Sequence, residues 1–206
     1  RLFLSGPSGG AAAARHMAAT LDVPNMIAMD IGGTSTDVSI VHDGETSNTN
    51  ESEVAGCALR LPMIEIRTIG AGGGSIAAVD VGGQLRIGPE SAGADPGPAA
   101  YGRGGLLATV TDAHVVLGRL DPGAIFESEI TLDAEASRRA VRSSVAEPLG
   151  VSLEAAAEGL TRLTSSNMAN AIRLSLFEKG MDPLDFYLLS FGGGGGLHAA
   201  QVAEEI

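Results

Sequence analysis

The stretch most able to do chemistry is Asp30-Ile31-Gly32-Gly33-Thr34-Ser35-Thr36-Asp37-Val38-Ser39-Ile40, in which a carboxylate ends an apolar run and a glycine pair follows directly. Glycines let backbone N–H groups close on an anion, and the hydroxyls of Thr34, Ser35 and Thr36 add donors. Asp30 or Asp37 would hold a magnesium ion through water. That set suits the phosphates of a nucleotide. The plainer reading is a hairpin turn with a surface aspartate. Two further glycine clusters, Gly70 to Gly74 and Gly192 to Gly196, make backbone geometry the main signal in this chain.

Other chemistries fit less well. Gly6-Pro7-Ser8-Gly9-Gly10 satisfies G-x-S-x-G, with Asp112 and His198 in hydrolase order, but only seven residues precede Ser8 and the required earlier strands have no room. Ser8 reads better as a turn residue. Gly72-Gly73-Gly74-Ser75-Ile76-Ala77 fits G-x-G-x-x-A, yet strand-like alternation follows it where a dinucleotide site needs a helix. Lys179, the only lysine, lies between Glu178 and Gly180, so neither a Walker A loop nor a Schiff base is built easily. The histidines, His16, His42, His114 and His198, lack zinc-site spacing. Asp112 and His114 read as a helix-start aspartate beside a satisfied histidine. Cys57 reads as a small buried hydrophobe, and as the lone cysteine it has no internal disulfide partner.

These residues need elements to position them. Leu2–Leu4 reads as a strand and Gly9–Leu21 as an alanine-rich helix entered through a glycine turn. Met26–Met29 and Val38–Val41 flank the polar glycine turn as strands. Met63–Ile69, Ile76–Val79 and Leu85–Ile87 read as a β-meander with a hairpin at Gly82-Gly83. Proline and glycine density from Gly88 to Leu106 predicts a long ordered loop or lid. Helices are expected over Asp112–Leu117, Asp133–Leu149 and Leu153–Glu178, then a buried strand at Phe186–Ser190 and a helix from Leu197 to Ile206.

With 206 residues and 44% hydrophobic content the chain can bury one core, so one compact unit is expected. The net charge of −12, from 25 acidic and 13 basic residues, disfavours nucleic acid and anionic membrane surfaces. No apolar run is long enough to span a bilayer. A soluble, cytoplasmic protein is expected.

The order and content of the motifs resemble the hydantoinase A / 5-oxoprolinase family, together with the related subunits of acetone and acetophenone carboxylases. The resemblance runs through Ser5-Gly6-Pro7-Ser8-Gly9-Gly10, Asp30–Val41, Ile69–Ala77 and Gly88–Pro98. It continues through Tyr101–Gly105, Thr109–Ala113, Leu117–Leu120, Asn167–Arg173 and Phe191-Gly192-Gly193 with Leu197-His198-Ala199, spanning nearly the whole chain. It implies an α/β fold, a ribonuclease-H-like lobe of the actin-like ATPase superfamily. Residues 1–206 would be the second nucleotide-binding lobe, the first lobe with the other phosphate motif being absent.

By the resemblance, ATP and magnesium are the cofactors. Gly32, Gly33, Thr34 and Ser35 would contact phosphates, and Asp30 and Asp37 would act in catalysis and hold the metal. Gly72, Gly73 and Gly74, with Ser75, would face the cleft, and Gly192, Gly193 and Gly195 would receive the adenosine. The implied reaction is phosphorylation of the carbonyl oxygen of a cyclic amide, of the 5-oxoproline or N-methylhydantoin type, so that water opens the ring. The alternatives are an ATP-binding subunit of a ketone carboxylase and a non-catalytic nucleotide switch or structural subunit. A hydantoinase B-type subunit or domain is the implied partner, in an oligomeric full-length enzyme. The chain departs from the family pattern at Gly194 and Gly196, where relatives commonly carry alanine and proline, and at Ala100, where they often carry cysteine.

Overall fold

Alanine, the strongest helix former, fills the first helix, and alternating apolar residues fill the strands that follow it. The computed structural model describes residues 5–49, 52–54, 57–59, 62–123 and 131–206, so the expected strand at Leu2–Leu4 and the Cys57 side chain lie outside what is described. In chain order the elements are α1 (Ser5–Leu21), β1 (Met26–Ile31), β2 (Thr36–His42), β3 (Glu45–Thr46), β4 (Asn48–Thr49), β5 (Ser52–Val54) and β6 (Cys57–Leu59). Then come β7 (Met63–Ile64), β8 (Arg67–Ile69), β9 (Ser75–Val79), β10 (Leu85–Ser91) and α2 (Val110–Val116). The last part holds α3 (Ala134–Val141), α4 (Glu147–Leu149), α5 (Leu153–Phe177), β11 (Tyr187–Phe191) and α6 (Gly195–Glu205).

The central sheet is mixed and runs β11-β1-β2-β3, with β8 against the first half of β2. β1 is parallel to β11 and antiparallel to β2. Because side chains alternate across a strand, β1 feeds two cores. Met26 and Ala28 meet Ala14 and Ala18 of α1, while Ile27, Met29 and Ile31 meet Met168, Ile172 and Leu176 of α5. The first half of α5 serves another core, where Ala157 and Leu160 pack with Val110, Val141 and Val145. One long helix therefore ties the sheet to the helical region, and Ser152 caps its start by accepting from the Ala155 N–H.

Several expectations change. α1 begins at Ser5, not after a glycine turn, and takes Ser8 into the helix, because Pro7 sits in the first turn where its missing N–H costs nothing. The strands after Met63 are no meander: β7 pairs with β4, β8 with β2, and only β9 and β10 form a hairpin. Alternation specifies a strand and is silent on its partner. Regular structure also enters the predicted loop, since β10 continues to Ser91 across a register shift after Ile87 that accommodates Pro89 outside the ladder. A short 3₁₀ turn follows at Ala99–Tyr101. The helix expected over Asp133–Leu149 is α3 and α4 joined through a π-helical stretch, Arg142–Ala146. The last helix starts two residues before Leu197, inside the glycine run.

Candidate functional site

The hairpin register puts Asp30 directly opposite Asp37 and Ile31 opposite Thr36, leaving Gly32 to Ser35 as the turn. Asp30 and Asp37 therefore share one face, the α1 side, while Ile31 points to the α5 side. Within the turn the Gly32 N–H donates to the Ser35 carbonyl at 2.9 Å. The N–H groups of Gly33 and Thr34 have no acceptor among the described residues, and both residues are exposed. Two exposed, unengaged amides beside a glycine are an anion-binding arrangement.

The second glycine loop braces this turn. Gly73 N–H donates to the Gly32 carbonyl at 3.1 Å and Gly74 N–H to the Gly33 carbonyl at 2.6 Å. A methyl group on Gly72 would lie 2.7 Å from the Thr34 carbonyl carbon and 2.8 Å from the Ser35 nitrogen, so only glycine permits the stacking. The amides of Gly72, Gly73 and Gly74 are thus all engaged inside the protein, Gly72 N–H by Ser75 Oγ at 2.9 Å. Ser75 is fully buried in that contact, which corrects its expected position facing the cleft. Thr36 Oγ1 donates to the Ala71 carbonyl at 2.5 Å and locks the two loops further.

The third glycine cluster closes on the same hairpin end. Gly194 N–H donates to the Ile31 carbonyl at 3.0 Å. Gly192, at φ +82°, is pressed against the Asp30 carboxylate, and any side chain there would displace it. Gly195 is buried at the start of α6, its N–H donating to the Gly192 carbonyl.

Burial, and secondarily the negative charge of Asp37, raises the Asp30 pKa from its ordinary value. Thr68 Oγ1 donates to Asp37 Oδ1 at 2.6 Å. Two facing carboxylates fit a hard divalent cation. Among the described residues no third His, Cys, Asp or Glu joins them, so the remaining ligands of such an ion would be water or phosphate oxygens.

On the other side of the turn lies a cavity of about 300 Å³, bounded by Gly32, Gly33, Gly73, Gly193 and Gly194 and walled by α2 and α6. Of the residues singled out in the sequence it gathers these glycines, whereas Asp30, Asp37, Thr34, Ser35, Gly72, Gly74, Gly192 and Gly195 are outside its lining. His114 and His198 line it and were not foreseen as a pair. Their Nε2 atoms are 3.1 Å apart, and His198 Nδ1 is 3.0 Å from Ser165 Oγ. Burial, first, and then nearby positive or titrating groups lower the pKa of His114 to about 3 and of His198 to about 4, so both rings are neutral. The i, i+4 spacing of Val110 and His114 was the available signal, but nothing in sequence placed His198 opposite.

Asp112 is engaged in a helix cap. It is fully buried, caps α2 jointly with Thr109, and accepts from Ala99 N, Ala100 N, Thr109 N, Thr109 Oγ1 and Ser137 Oγ at 2.7–3.3 Å. With Ser8 in α1 and His198 bonded to His114 and Ser165, the hydrolase arrangement is not formed. Lys179 is held by Glu65 at 2.6 Å. No helix among the described residues is long and apolar enough to cross a membrane.

Residues 1–206 match the profile of the Hydantoinase/oxoprolinase family. The chain is 44% identical over 202 residues to the caprolactamase subunit alpha of Pseudomonas jessenii, covering 98% of this chain and 29% of that one. It is 38% identical to the 5-oxoprolinase of Saccharomyces cerevisiae, covering 99% of this chain and 17% of the relative. The crystal structure of the ATP-dependent caprolactamase from Pseudomonas jessenii superposes with a TM-score of 0.90 over 98% of this chain and 29% of that one, at 44% identity. A nucleotide-free acetone carboxylase, from a study of ATP-dependent acetone carboxylation, superposes with a TM-score of 0.88 at 35% identity, covering 97% and 28% of the two chains. The chain thus spans less than a third of the length of these relatives.

Proposed function

Because the chain belongs to the hydantoinase/oxoprolinase family, we propose that it forms the second lobe of an actin-like, ATP-binding enzyme that opens a lactam or related cyclic amide. The observation that carries this reading is the Gly32–Thr34 turn: two free amides point out beside a facing pair of carboxylates, and a second glycine loop holds the turn rigid. Phosphate oxygens would meet the Gly33 and Thr34 N–H groups, with the Thr34 and Ser35 hydroxyls alongside. Asp30 and Asp37 would hold magnesium, which supplies charge neutralisation on the phosphates. Gly193, on the lining of the cavity, would leave room for the nucleoside, with Gly192 packed against Asp30, while Gly72 to Gly74 act by bracing the turn from behind.

The lactam reading is preferred over ketone carboxylation because identity is 44% with the caprolactamase subunit and 35% with the acetone carboxylase. In this reading a first lobe with its own phosphate motif and a hydantoinase B-type partner complete the site in a cytoplasmic enzyme. Substrate-stimulated ATP hydrolysis by the full-length protein would separate it from a nucleotide switch or structural subunit.

The test is calorimetric titration of magnesium and a non-hydrolysable ATP analogue into the full-length protein and its Asp30→Ala variant. At least about a tenfold loss of affinity is expected, as for removal of a charged ligand to a bound ion. Equal affinity would remove Asp30 from the nucleotide site and sink the reading.

A further inference from the structure

The two unengaged amides of the turn are aimed from behind. In a planar trans peptide the carbonyl of one residue and the N–H of the next point in opposite directions, so holding the carbonyl fixes where that N–H points. The Gly33 carbonyl accepts the Gly74 N–H at 2.6 Å, which turns the Thr34 N–H outward. The Gly74 N–H shares its peptide plane with the Gly73 carbonyl, and that carbonyl accepts both the Thr111 N–H at 2.8 Å and Thr111 Oγ1–H at 2.9 Å. A parallel series lies one residue earlier. It runs from the Ser75 N–H to the Gly72 carbonyl at 3.0 Å, then from the Gly73 N–H to the Gly32 carbonyl at 3.1 Å, and ends on the Gly33 N–H.

The two series differ at their tails. The one that ends on Gly33 starts from a backbone amide, whereas the one that ends on Thr34 starts from a hydroxyl as well. Thr111 sits in the first turn of α2, where N–H groups have no partner inside the helix, and the Gly73 carbonyl satisfies one of them. α2 is itself fixed, because the buried Asp112 carboxylate ties its cap to Ala99, Ala100 and Ser137. The fit is close: a methyl group on Gly73 would stand 2.9 Å from Thr111 Oγ1. Hydrogen bonds in series also polarise one another, by roughly 10–30% per bond, so two donors on the Gly73 carbonyl make the Thr34 N–H a stronger donor to an anion.

We propose that Thr111 is a positioning residue for the anion-binding turn: through the Gly73–Gly74 and Gly33–Thr34 peptide planes it aims and polarises the Thr34 N–H. Identifying the anion as a nucleotide phosphate rests on the proposed function, whereas the aiming of the amide is a property of the two loops and α2.

The experiment compares Thr111→Val and Thr111→Ser in the full-length protein. It reads amide hydrogen exchange over the Gly32–Ser35 turn and the Gly70–Gly74 loop, and calorimetric affinity for a magnesium-bound, non-hydrolysable ATP analogue. Valine puts a methyl group where the hydroxyl donated and pushes Gly73 back, whereas serine keeps the donor. Without nucleotide, exchange over the Gly70–Gly74 loop should be about fivefold faster in Thr111→Val, as expected when one hydrogen bond is lost. With nucleotide, the same variant should lose about fivefold in affinity and much of the protection that binding confers on the turn, with thermal unfolding close to that of the wild type. Thr111→Ser should follow the wild type in every reading. If Thr111→Val does not fold, Thr111→Ala replaces it, since it removes the hydroxyl without adding a methyl group. Wild-type exchange and affinity in the folded valine or alanine variant would overturn the proposal, and so would equal losses in Thr111→Ser. Asp30→Ala separates the two readings. Nucleotide binding lost there but untouched in Thr111→Val fails only this inference. Nucleotide binding unchanged in Asp30→Ala fails only the nucleotide reading, and faster loop exchange in Thr111→Val would still support the role of Thr111.

Discussion

His114 and His198 are 1% and 2% exposed, which is why their protonation is linked to folding. Burial lowers both pKa values, to about 3 and about 4, whereas the unfolded chain titrates near the ordinary 6.5. A depressed folded pKa contributes stability that is complete above 6.5 and is lost as pH falls toward the folded values. Between pH 6.5 and roughly pH 5 the loss should be on the order of 2 kcal/mol for each histidine. Thermal unfolding followed across that window should show a steeper acid decline in the wild type than in a His114→Asn/His198→Gln double variant. Parallel declines would mean that the pair takes up protons inside the folded protein. Asp30 has the opposite sign, since its raised pKa makes the ionised form the costly one and cation binding should weaken in acid.

At the scale of elements, the phosphate turn owes its shape to contact between two loops that are distant in sequence. Gly72 stacks on Thr34 and Ser35, and a β-carbon there meets backbone that cannot rotate away. Gly72→Ala should cost about 1–3 kcal/mol by overpacking. Gly33 has open space on its Cα, so Gly33→Ala should fold like the wild type yet weaken magnesium-nucleotide binding by crowding the approach. Chemical denaturation with a parallel binding titration checks both. A stable Gly72→Ala protein would show that the loops can separate, and undiminished nucleotide binding by Gly33→Ala would move the phosphates away from this turn.

At the scale of the whole molecule, α5 joins the sheet core to the helical core, and α2 and α6 reach the glycine turn from the two ends of that frame. The cation pair opens on one side of the hairpin and the His-lined cavity on the other. In the proposed enzyme the first lobe closes over this surface, so the 206-residue chain produced alone should bind nucleotide at least about tenfold more weakly than the full-length protein and show no enzyme-like ATP turnover. Circular dichroism establishes that the isolated chain is folded before the comparison. Turnover by the chain alone at the full-length rate would contradict the two-lobed reading.

The sequence by itself determined the glycine turn with its two aspartates, most of the helices and strands, and the family. Those follow from local rules: a period of two or near four, alanine against glycine, and motifs short enough to read directly. Neighbours far apart in the chain were decided only by the tertiary structure. Alternation from Met63 onward specified strands but not that β8 crosses to β2, and the proline-rich stretch concealed a strand whose bulge absorbs Pro89. Gly72 to Gly74 read as a loop facing the cleft, and only the fold shows that their amides pair with Ser75, Gly32 and Gly33. His114 and His198, 84 positions apart, became a pair only when α2 and α6 both packed against α5, because burial and hydrogen-bond partnership belong to the folded surroundings and leave no periodic trace in the chain.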